Sequence, residues 1–358
     1  DLDKEDAREG PVGLGYRVPL VIASPWSRGG WVNSQVFDIT STLQFMEKFL
    51  SKKTGKKIKE SNISDWRRTV SGNLTSVFRP YSGEKVDLPQ SVQFDPFVKE
   101  IYNAKFKDIP ADYKPLSDVE IQLLRKDVFN SSLMPLQEKG TRQSCALPYQ
   151  LEVDGKLTGD KKSFEISFSA GNELFGDHSA GSAFTVYAPG KYLDKNSNQN
   201  TFEEVKAWSF AVKAGDKIKA EWPLSDFENW RYHLRVYGPN GFFREFSGSK
   251  NDPVIDIQIE EERSKISKKP NGSIIISLEN KNNESHSFYI ENKYNNEKSN
   301  IVLNKNNLSK KHLVNLEKNF NWYDISIKIT GNNTFEKRYA GRVETGNPGK
   351  SDPIMGRV

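Results

Sequence analysis

The sequence predicts a mixed fold, in which an opening α/β segment is followed by two tandem antiparallel β-sandwich domains. Three observations predict it: a short apolar run followed by a helical pattern near the start, a change to alternating apolar spacing after Pro148, and a repeat of about 93 residues in the second half. Spacing of 3.6 residues is typical of amphipathic helices, whereas alternation is typical of half-buried strands. The predicted units are an α/β segment at residues 1–80, a connector with a helix at 81–146, and β-sandwich repeats at 147–250 and 251–358.

The opening segment contains one predicted strand and two predicted helices. RVPLVIAS, from Arg17 to Ser24, is a short apolar run of the kind buried in α/β sheets. From Ser41 the apolar residues recur at helical spacing, and Ser41 with Gln44 matches a capping box. A short helix is predicted from Ser64 to Val70, with Ser64 as its N-cap. Because an α/β domain alternates strands and helices over a longer span, we expect this segment to be the end of a larger sheet domain.

The connector is predicted from its prolines, and the repeats are predicted from alternating apolar and polar residues. Residues 81–146 carry many prolines and one capped helical pattern, beginning at Ser117. Strand signals follow in KKSFEISFSA, SAFTVYA, AWSFAVKAGDKIKAEW and YHLRVYGPNGFFREFSG, and they return in NGSIIISLEN, HSFYIENKY and NWYDISIKITGNNTFEKRYAG. Residues 229–230 match 321–322, and residues 242–248 match 335–341. About seven short strands in about 100 residues is typical of a small sandwich.

Composition narrows the classes of function. The 52 basic and 47 acidic residues give a net charge of +5 that is spread along the chain, which argues against a nucleic-acid partner. One cysteine, Cys145, excludes an internal disulfide, and four histidines without metal-ligand spacing argue against a zinc site. No apolar run reaches the roughly 20 residues that span a bilayer. The chain begins with Asp and has no signal-peptide pattern, so we expect a processed or trimmed piece of a longer protein.

Three stretches carry a resemblance to a known family. Gly13 to Leu50 (GLGYRVPLVIASPWSRGGWVNSQVFDITSTLQFMEKFL) and Glu60 to Phe78 (ESNISDWRRTVSGNLTSVF) resemble the last part of the catalytic domain of bacterial phosphocholine-specific phospholipases C. These enzymes belong to the phosphoesterase family of the alkaline-phosphatase-like superfamily, so the opening segment is identified as an α/β remnant of that catalytic domain. Ala146 to Gly155 (ALPYQLEVDG) and the repeats resemble the paired C-terminal domains of the same enzymes.

The resemblance implies a periplasmic or secreted hydrolase that cleaves phosphatidylcholine or sphingomyelin, with a phospholipid or membrane surface as its partner. It places the nucleophile and the acidic residues upstream, in a missing N-terminal catalytic portion. We therefore expect no catalytic residue, metal or cofactor in this chain, a divalent metal belonging to the complete enzyme, and no activity of the chain by itself. Two positions depart from the family: Ile39 stands where relatives commonly have His, and Asn73 stands where they often have Asp.

The loop before the first helix holds the candidate substrate contacts. Five residues are candidates for the rim of a substrate entrance: Trp26, Arg28, Trp31, Asn33 and Gln35. Three residues at the helix start are candidate phosphate contacts: Asp38, Thr40 and Ser41. The alternatives are that the indoles pack over the loop, that the polar residues make loop hydrogen bonds, and that Asp38 caps the helix.

The repeats leave two further alternatives open. Aromatic residues of the strands form either a cage for a choline ammonium or part of the cores, and alternation favours the cores. These residues are Trp208, Trp222, Trp230 and Tyr232 in the first repeat, and Trp322 and Tyr323 in the second. The alternative to a phospholipase is a non-catalytic module of two β-sandwiches that binds a membrane, a glycan or a protein.

Overall fold

A computed structural model of the chain describes residues 13–15, 17–83, 85, 91, 93–109, 111–128, 130–134, 139–194, 201–282 and 284–357. Within these ranges the α-helices are α1 (Ile39–Thr54), α2 (Asp65–Val70), α3 (Phe94–Ala104) and α4 (Asp118–Lys126). The 3-10 turns are Thr75–Val77, Gly176–His178, Leu224–Asp226, Glu228–Trp230 and Glu317–Asn319. The strands are β1 (Gln143–Ser144), β2 (Leu151–Leu157), β3 (Ser163–Ala170), β4 (Ser182–Leu193), β5 (Phe202–Val212), β6 (Lys217–Pro223), β7 (Arg231–Tyr237), β8 (Phe243–Ser249), β9 (Ile255–Arg263), β10 (Pro270–Asn280), β11 (His286–Asn292), β12 (Glu297–Leu303), β13 (Ser309–Val314), β14 (Trp322–Ile329), β15 (Glu336–Arg342) and β16 (Gly349–Lys350).

The predicted opening strand does not form. Residues 17–23 have no regular secondary structure, and the side chain of Val21 is 89% exposed. A strand of this composition is buried only where neighbouring strands pair with it and helices cover the sheet. Among the described residues no strand pairs with this run. The prediction of a buried strand was therefore wrong for the described chain, and the opening segment is represented by its helices.

Helix α1 begins earlier than the predicted start at Ser41, and the alternative interpretation, in which Asp38 caps the helix, is confirmed. Asp38 is the N-cap: its carboxylate accepts a hydrogen bond from the Thr40 N–H at 2.8 Å, and Ser41 Oγ accepts one from the Asp38 N–H at 3.0 Å. The expected pair of Ser41 with Gln44 is thus displaced by three residues. A carboxylate is favoured at this end because the helix dipole is positive there.

The two other predicted helix starts are confirmed. Ser64 caps α2 by accepting a hydrogen bond from the Arg67 N–H at 3.3 Å. Ser117 and Glu120 form the capping box of α4. Helix α3 was missed, although Phe94, Phe97 and Ile101 recur at helical spacing, because the surrounding prolines indicated an extended connector.

Strands β2 to β15 form three antiparallel sheets. A three-stranded sheet has the order β2-β3-β6, an eight-stranded sheet has the order β12-β11-β14-β15-β8-β7-β4-β5, and a second three-stranded sheet has the order β13-β10-β9. The last strands of the two repeats, β8 and β15, pair with each other, with Tyr339 opposite Arg244. This pairing covers one edge of each repeat and makes the large sheet continuous.

The three-stranded sheets pack on the eight-stranded sheet. Phe168 on β3 and Phe184 on β4 have ring centres 5.5 Å apart, and Tyr339 on β15 donates a hydrogen bond to the Ile257 carbonyl on β9 at 3.2 Å. One hydrophobic cluster runs through both repeats. Because each fully buried Phe contributes about 1.5–3 kcal/mol, this cluster is the main source of stability.

The predicted repeat has structural counterparts. Strand β7 begins directly after the first Asn-Trp pair and β14 begins at the tryptophan of the second, while β8 and β15 contain residues 243–248 and 336–341 of the matched stretches. Gly248 and Gly341 occupy matched positions: a Cβ atom on Gly248 would lie 2.4 Å from Tyr232 Oη, and one on Gly341 would lie 3.2 Å from Tyr323 Oη. The same close approach of a tyrosine to a glycine therefore occurs in both copies.

Candidate functional site

The loop that holds the candidate rim residues is attached to the end of the connector and the start of the first repeat. The Val32 N–H donates to the Gln143 carbonyl and the Cys145 N–H donates to the Val32 carbonyl, both at 2.9 Å. The Val36 N–H donates to the Tyr149 hydroxyl at 3.0 Å. Tyr149 is buried, and this burial raises the pKa of its phenol, so the hydroxyl stays neutral. The loop is thus held in one position by the β-rich part of the chain.

Arg79 packs on the indole of Trp31 and holds the loop backbone at Trp26 and Arg28. Its guanidinium lies 4.2 Å from the centre of the Trp31 ring and donates to the Arg28 carbonyl at 2.6 Å, while its N–H donates to the Trp26 carbonyl at 2.9 Å. The Trp26 side chain remains 54% exposed. The guanidinium of Arg28 lies 4.9 Å from the centre of the Tyr81 ring. Trp31 is therefore part of a packed cluster, whereas Trp26 faces outward.

Asn33 and Gln35 bind the loop to the 3-10 turn at Thr75–Val77. Asn33 Nδ2 donates to Ser76 Oγ at 2.9 Å, and Ser76 Oγ donates to Gln35 Oε1 at 2.5 Å. The Gln35 N–H also donates to Asn33 Oδ1 at 2.9 Å. These loop hydrogen bonds are the ones expected from the alternative interpretation. A head-group contact by these two residues stays a prediction.

The Asp38 carboxylate at the start of α1 already has hydrogen-bond donors within the chain. Asp38 accepts from the Thr40 hydroxyl at 2.6 Å and from Arg67 Nη1 at 2.5 Å. Burial raises the pKa of Asp38, but the hydrogen bonds from Thr40 and Arg67 outweigh it and hold the pKa below its usual value. Ser41 is buried beneath this cap. Asp38, Thr40 and Ser41 lie together at the start of α1, and a phosphate contact by them stays a prediction.

Ile39 and Asn73 are the two positions that the sequence analysis expected to differ from similar proteins. Ile39 is the first residue of α1, and its side chain is exposed. Asn73 accepts hydrogen bonds from the N–H of Thr75 at 3.2 Å and from its hydroxyl at 2.6 Å. Ile39 thus presents an apolar surface without a proton-transfer group. The Asn73 side chain stabilises the turn that leads to Thr75.

The aromatic residues of the repeats do not form a cage. The rings of Trp208 and Trp222 meet edge to face at 5.5 Å, and Trp222 is buried. Tyr232, Trp322 and Tyr323 are buried as well, so the core interpretation is confirmed for them. Trp230 is the exception, since its side chain is exposed.

Sequence reasoning missed Arg79, Tyr81 and Tyr149. Each reaches the loop from a segment more than 40 residues away, and no spacing in the sequence links such segments. Within the described ranges, no three His, Cys, Asp or Glu residues are grouped so as to hold a metal ion. The helices of the described ranges are all too short or too polar to cross a membrane.

Comparison with known proteins gives the family. The family model of the phosphoesterase family matches residues 2–51, and that of the bacterial phospholipase C, C-terminal domain, matches residues 143–249. The non-hemolytic phospholipase C of Burkholderia pseudomallei is 32% identical over 348 residues, which cover 97% of this chain and 44% of that protein. In Pseudomonas aeruginosa, the non-hemolytic phospholipase C is 30% identical over 98% of the chain and the hemolytic phospholipase C is 31% identical over 96%, and each is covered to 45% of its own length. The chain thus spans less than half of the curated relatives that it matches, and along almost its whole length it belongs to the bacterial phospholipase C family.

Proposed function

We propose that this chain forms part of a phospholipase C-type phosphodiesterase that hydrolyses phosphocholine lipids, phosphatidylcholine or sphingomyelin. The observation that carries the proposal is the similarity to proteins named phospholipase C along 96–98% of the chain. The similarity includes both the loop with the candidate rim residues and the β-rich repeats.

In this proposal the repeats hold the loop at the edge of a substrate entrance. The hydrogen bonds of Val32 and Val36 fix the loop backbone, which reduces the entropy lost when a substrate is positioned. The exposed indole of Trp26 suits a lipid interface, because an indole has an apolar body and one polar N–H. The guanidinium of Arg28 suits a phosphate oxygen.

The division of the three sheets into two β-sandwiches is part of the same proposal. Each three-stranded sheet, with the half of the eight-stranded sheet that it covers, makes one β-sandwich. The boundaries lie near residues 147–250 and 251–358. The ring contact of Phe168 with Phe184 supports this division in the first repeat, and the hydrogen bond from Tyr339 to the Ile257 carbonyl supports it in the second.

We further propose that the chain by itself has no turnover. The test is the release of nitrophenol from p-nitrophenylphosphocholine by the purified chain, with the hemolytic phospholipase C of P. aeruginosa as the positive control. We expect the chain to match the buffer blank, with and without added Zn²⁺ or Ca²⁺. Turnover that copurifies with the chain would refute its inactivity.

A second experiment tests the substrate and the rim. If the reading frame extends before Asp1, the longer product is assayed on phosphatidylcholine, sphingomyelin and phosphatidylethanolamine. We expect hydrolysis of the two choline lipids, and a rise in KM for Trp26→Ala of about tenfold, with Trp66→Ala as the matched control. Equal hydrolysis of the ethanolamine lipid would refute the proposed head-group preference.

One observation favours a non-catalytic membrane-binding module as a second candidate. Helix α3 has no buried residue, and its apolar side chains Phe94, Phe97 and Ile101 are exposed. An amphipathic helix of this kind can lie in a lipid interface. The test is co-sedimentation of the chain with phosphatidylcholine vesicles, where Phe97→Asp should release the chain and Ile266→Asp should not. Pelleting without turnover would favour this candidate, and no pelleting would exclude it.

A further inference from the structure

An exposed tryptophan lies where the two repeats meet. The Trp230 side chain is 46% exposed, whereas its counterpart in the second repeat, Trp322, is 5% exposed and donates from Nε1 to the Lys350 carbonyl at 3.0 Å. The second repeat shows that this position of the fold can bury an indole. The exposure of Trp230 is therefore a property of the first repeat and not of the shared strand pattern.

The backbone explains why the two tryptophans point differently. In the first repeat the consecutive left-handed residues are Asn229 and Trp230, with φ of 56° and 57°. In the second repeat they are Phe320 and Asn321, so the left-handed pair ends one residue before Trp322. Left-handed backbone is unfavourable for residues with a Cβ, and such strain concentrates at functional sites. In the first repeat the strained pair includes the exposed indole itself.

Trp230 forms one wall of a cleft of about 500 Å³, here called the Trp230 cleft. Its other walls are the turn that follows β8 and the turn at residues 331–334 of the second repeat. The cleft contains two cations, Arg231 and Lys250, and the Lys250 ammonium lies 5.1 Å from the centre of the Trp230 ring. Neither cation forms an ion pair with a described residue, and no carboxylate is among the described lining residues. The cleft is also lined by the side-chain amides of Asn229, Asn251 and Asn333.

A buried carboxylate holds the walls of the cleft together. Asp252 Oδ2 accepts from the Tyr232 hydroxyl and from the Ser249 N–H, both at 2.8 Å, and Asp252 Oδ1 accepts from Asn332 Nδ2 at 3.2 Å. Asn332 Oδ1 in turn accepts from the Thr334 N–H at 3.0 Å. The first repeat and the 331–334 turn are thereby joined beneath the cleft. A site that is ordered before it binds loses less entropy on binding.

We propose that the Trp230 cleft binds a saccharide that carries carboxylate groups. The C–H face of a sugar ring packs on an indole, and its hydroxyls match amide donors and acceptors. Arg231 and Lys250 favour a carboxylate and repel a cation, so the cleft does not suit the choline ammonium of the proposed lipid substrate. The inference thus goes beyond the proposed phospholipase function.

The test is a titration of the purified chain, followed by tryptophan fluorescence and by calorimetry, with three tetrasaccharides. The probes are tetragalacturonate, neutral maltotetraose and cationic chitosan tetramer. We expect tetragalacturonate to bind most tightly and the chitosan tetramer to bind at least tenfold more weakly. Trp230→Ala should weaken tetragalacturonate binding at least tenfold, and Arg231→Ala should reduce the preference for tetragalacturonate over maltotetraose.

The matched control is Trp66→Ala, an exposed tryptophan on α2 far from the repeats in sequence, which should bind tetragalacturonate like the parent chain. Circular dichroism and thermal unfolding of each variant show that the fold is kept. If Trp230→Ala is unfolded, Asn333→Ala, at an exposed turn position, replaces it with an expected loss of at least threefold. The proposal is overturned if none of the three saccharides binds, or if the chitosan tetramer binds as tightly as tetragalacturonate. It is also overturned if Trp230→Ala, or Asn333→Ala in its place, and Arg231→Ala both bind tetragalacturonate like the parent chain.

Discussion

Glu261 on β9 gives the chain a defined dependence of stability on pH. Burial raises the pKa of its carboxyl from the usual 4.5 to about 7; the carboxylates of Glu152 and Glu344 act in the same direction, and Arg263 opposes them only in part. The perturbation is Glu261→Gln, which keeps the size of the side chain and removes its charge. The variant should be more stable than the parent chain wherever Glu261 is ionised.

The size of the effect on the free energy of unfolding follows from the pKa of Glu261 in the folded and in the unfolded chain. The folded carboxyl, with a pKa of about 7, binds a proton more tightly than the unfolded one, at 4.5, so the folded state holds more protons between these pH values. The stabilisation is complete below pH 4.5 and is lost as the pH rises through 7. The difference of 2.5 corresponds to about 3 kcal/mol, at about 1.4 kcal/mol for each pKa unit. Above pH 7 the ionised side chain therefore lowers the free energy of unfolding by about this amount.

The assay is urea unfolding of the parent chain and of Glu261→Gln at pH 4.5 and at pH 8. We expect the variant to gain about 2–3 kcal/mol at pH 8 and less than about 0.5 kcal/mol at pH 4.5. Glu260→Gln, at an exposed position of the same strand, is the control and should change little at either pH. An equal gain by Glu261→Gln at both pH values would refute the reasoning, because the effect would then not arise from ionisation.

Three further predictions concern the contacts that hold the chain together. Tyr149→Phe removes the acceptor of the Val36 N–H; it should cost about 1–3 kcal/mol and speed hydrogen exchange of the Val36 amide. The pKa of Glu245 is raised by burial but is lowered further, to about 2, by hydrogen bonds from its histidine and arginine partners, so Glu245→Gln should cost about 3 kcal/mol at pH 7 and little at pH 2 in denaturant unfolding. Gly248→Ala would place a Cβ 1.9 Å from a buried carboxylate oxygen and should lower the melting temperature by several degrees, whereas Gly190→Ala meets no atom within 4 Å and should not.

Local sequence patterns were sufficient to predict helices and strands where the interactions that stabilise them join residues close in sequence. The caps of α2 and α4 were predicted because Ser64 and Ser117 accept hydrogen bonds from N–H groups only three residues away. Most strands of the repeats, β3 to β8, β10, β11, β14 and β15, were predicted because alternation reports which side of a strand is buried, whereas β2, β9, β12 and β13 were not predicted. The start of α1 was placed too late, because Asp38 competes with Ser41 for the same role and the sequence does not rank the two caps.

Long-range contacts account for what was missed. The apolar run at residues 17–23 has the composition of a strand, but a strand forms only where partners accept its hydrogen bonds. The position of Trp31 depends on Arg79, and that of the loop depends on Tyr149, more than 100 residues from Val36. These pairs bear no fixed relation in spacing.

The sequence by itself determined most strands of the β-rich repeats, three of the helices, the repeat of about 93 residues and the family, because each depends on periodicity or on motifs within short stretches. Only the tertiary structure decided that β8 pairs with β15, that Trp322 is buried while Trp230 is exposed, and that Glu261 lies among other carboxylates. Strand pairing, burial and charge environment depend on which distant segments meet. The free energy of those contacts is a property of the folded arrangement and not of any local pattern.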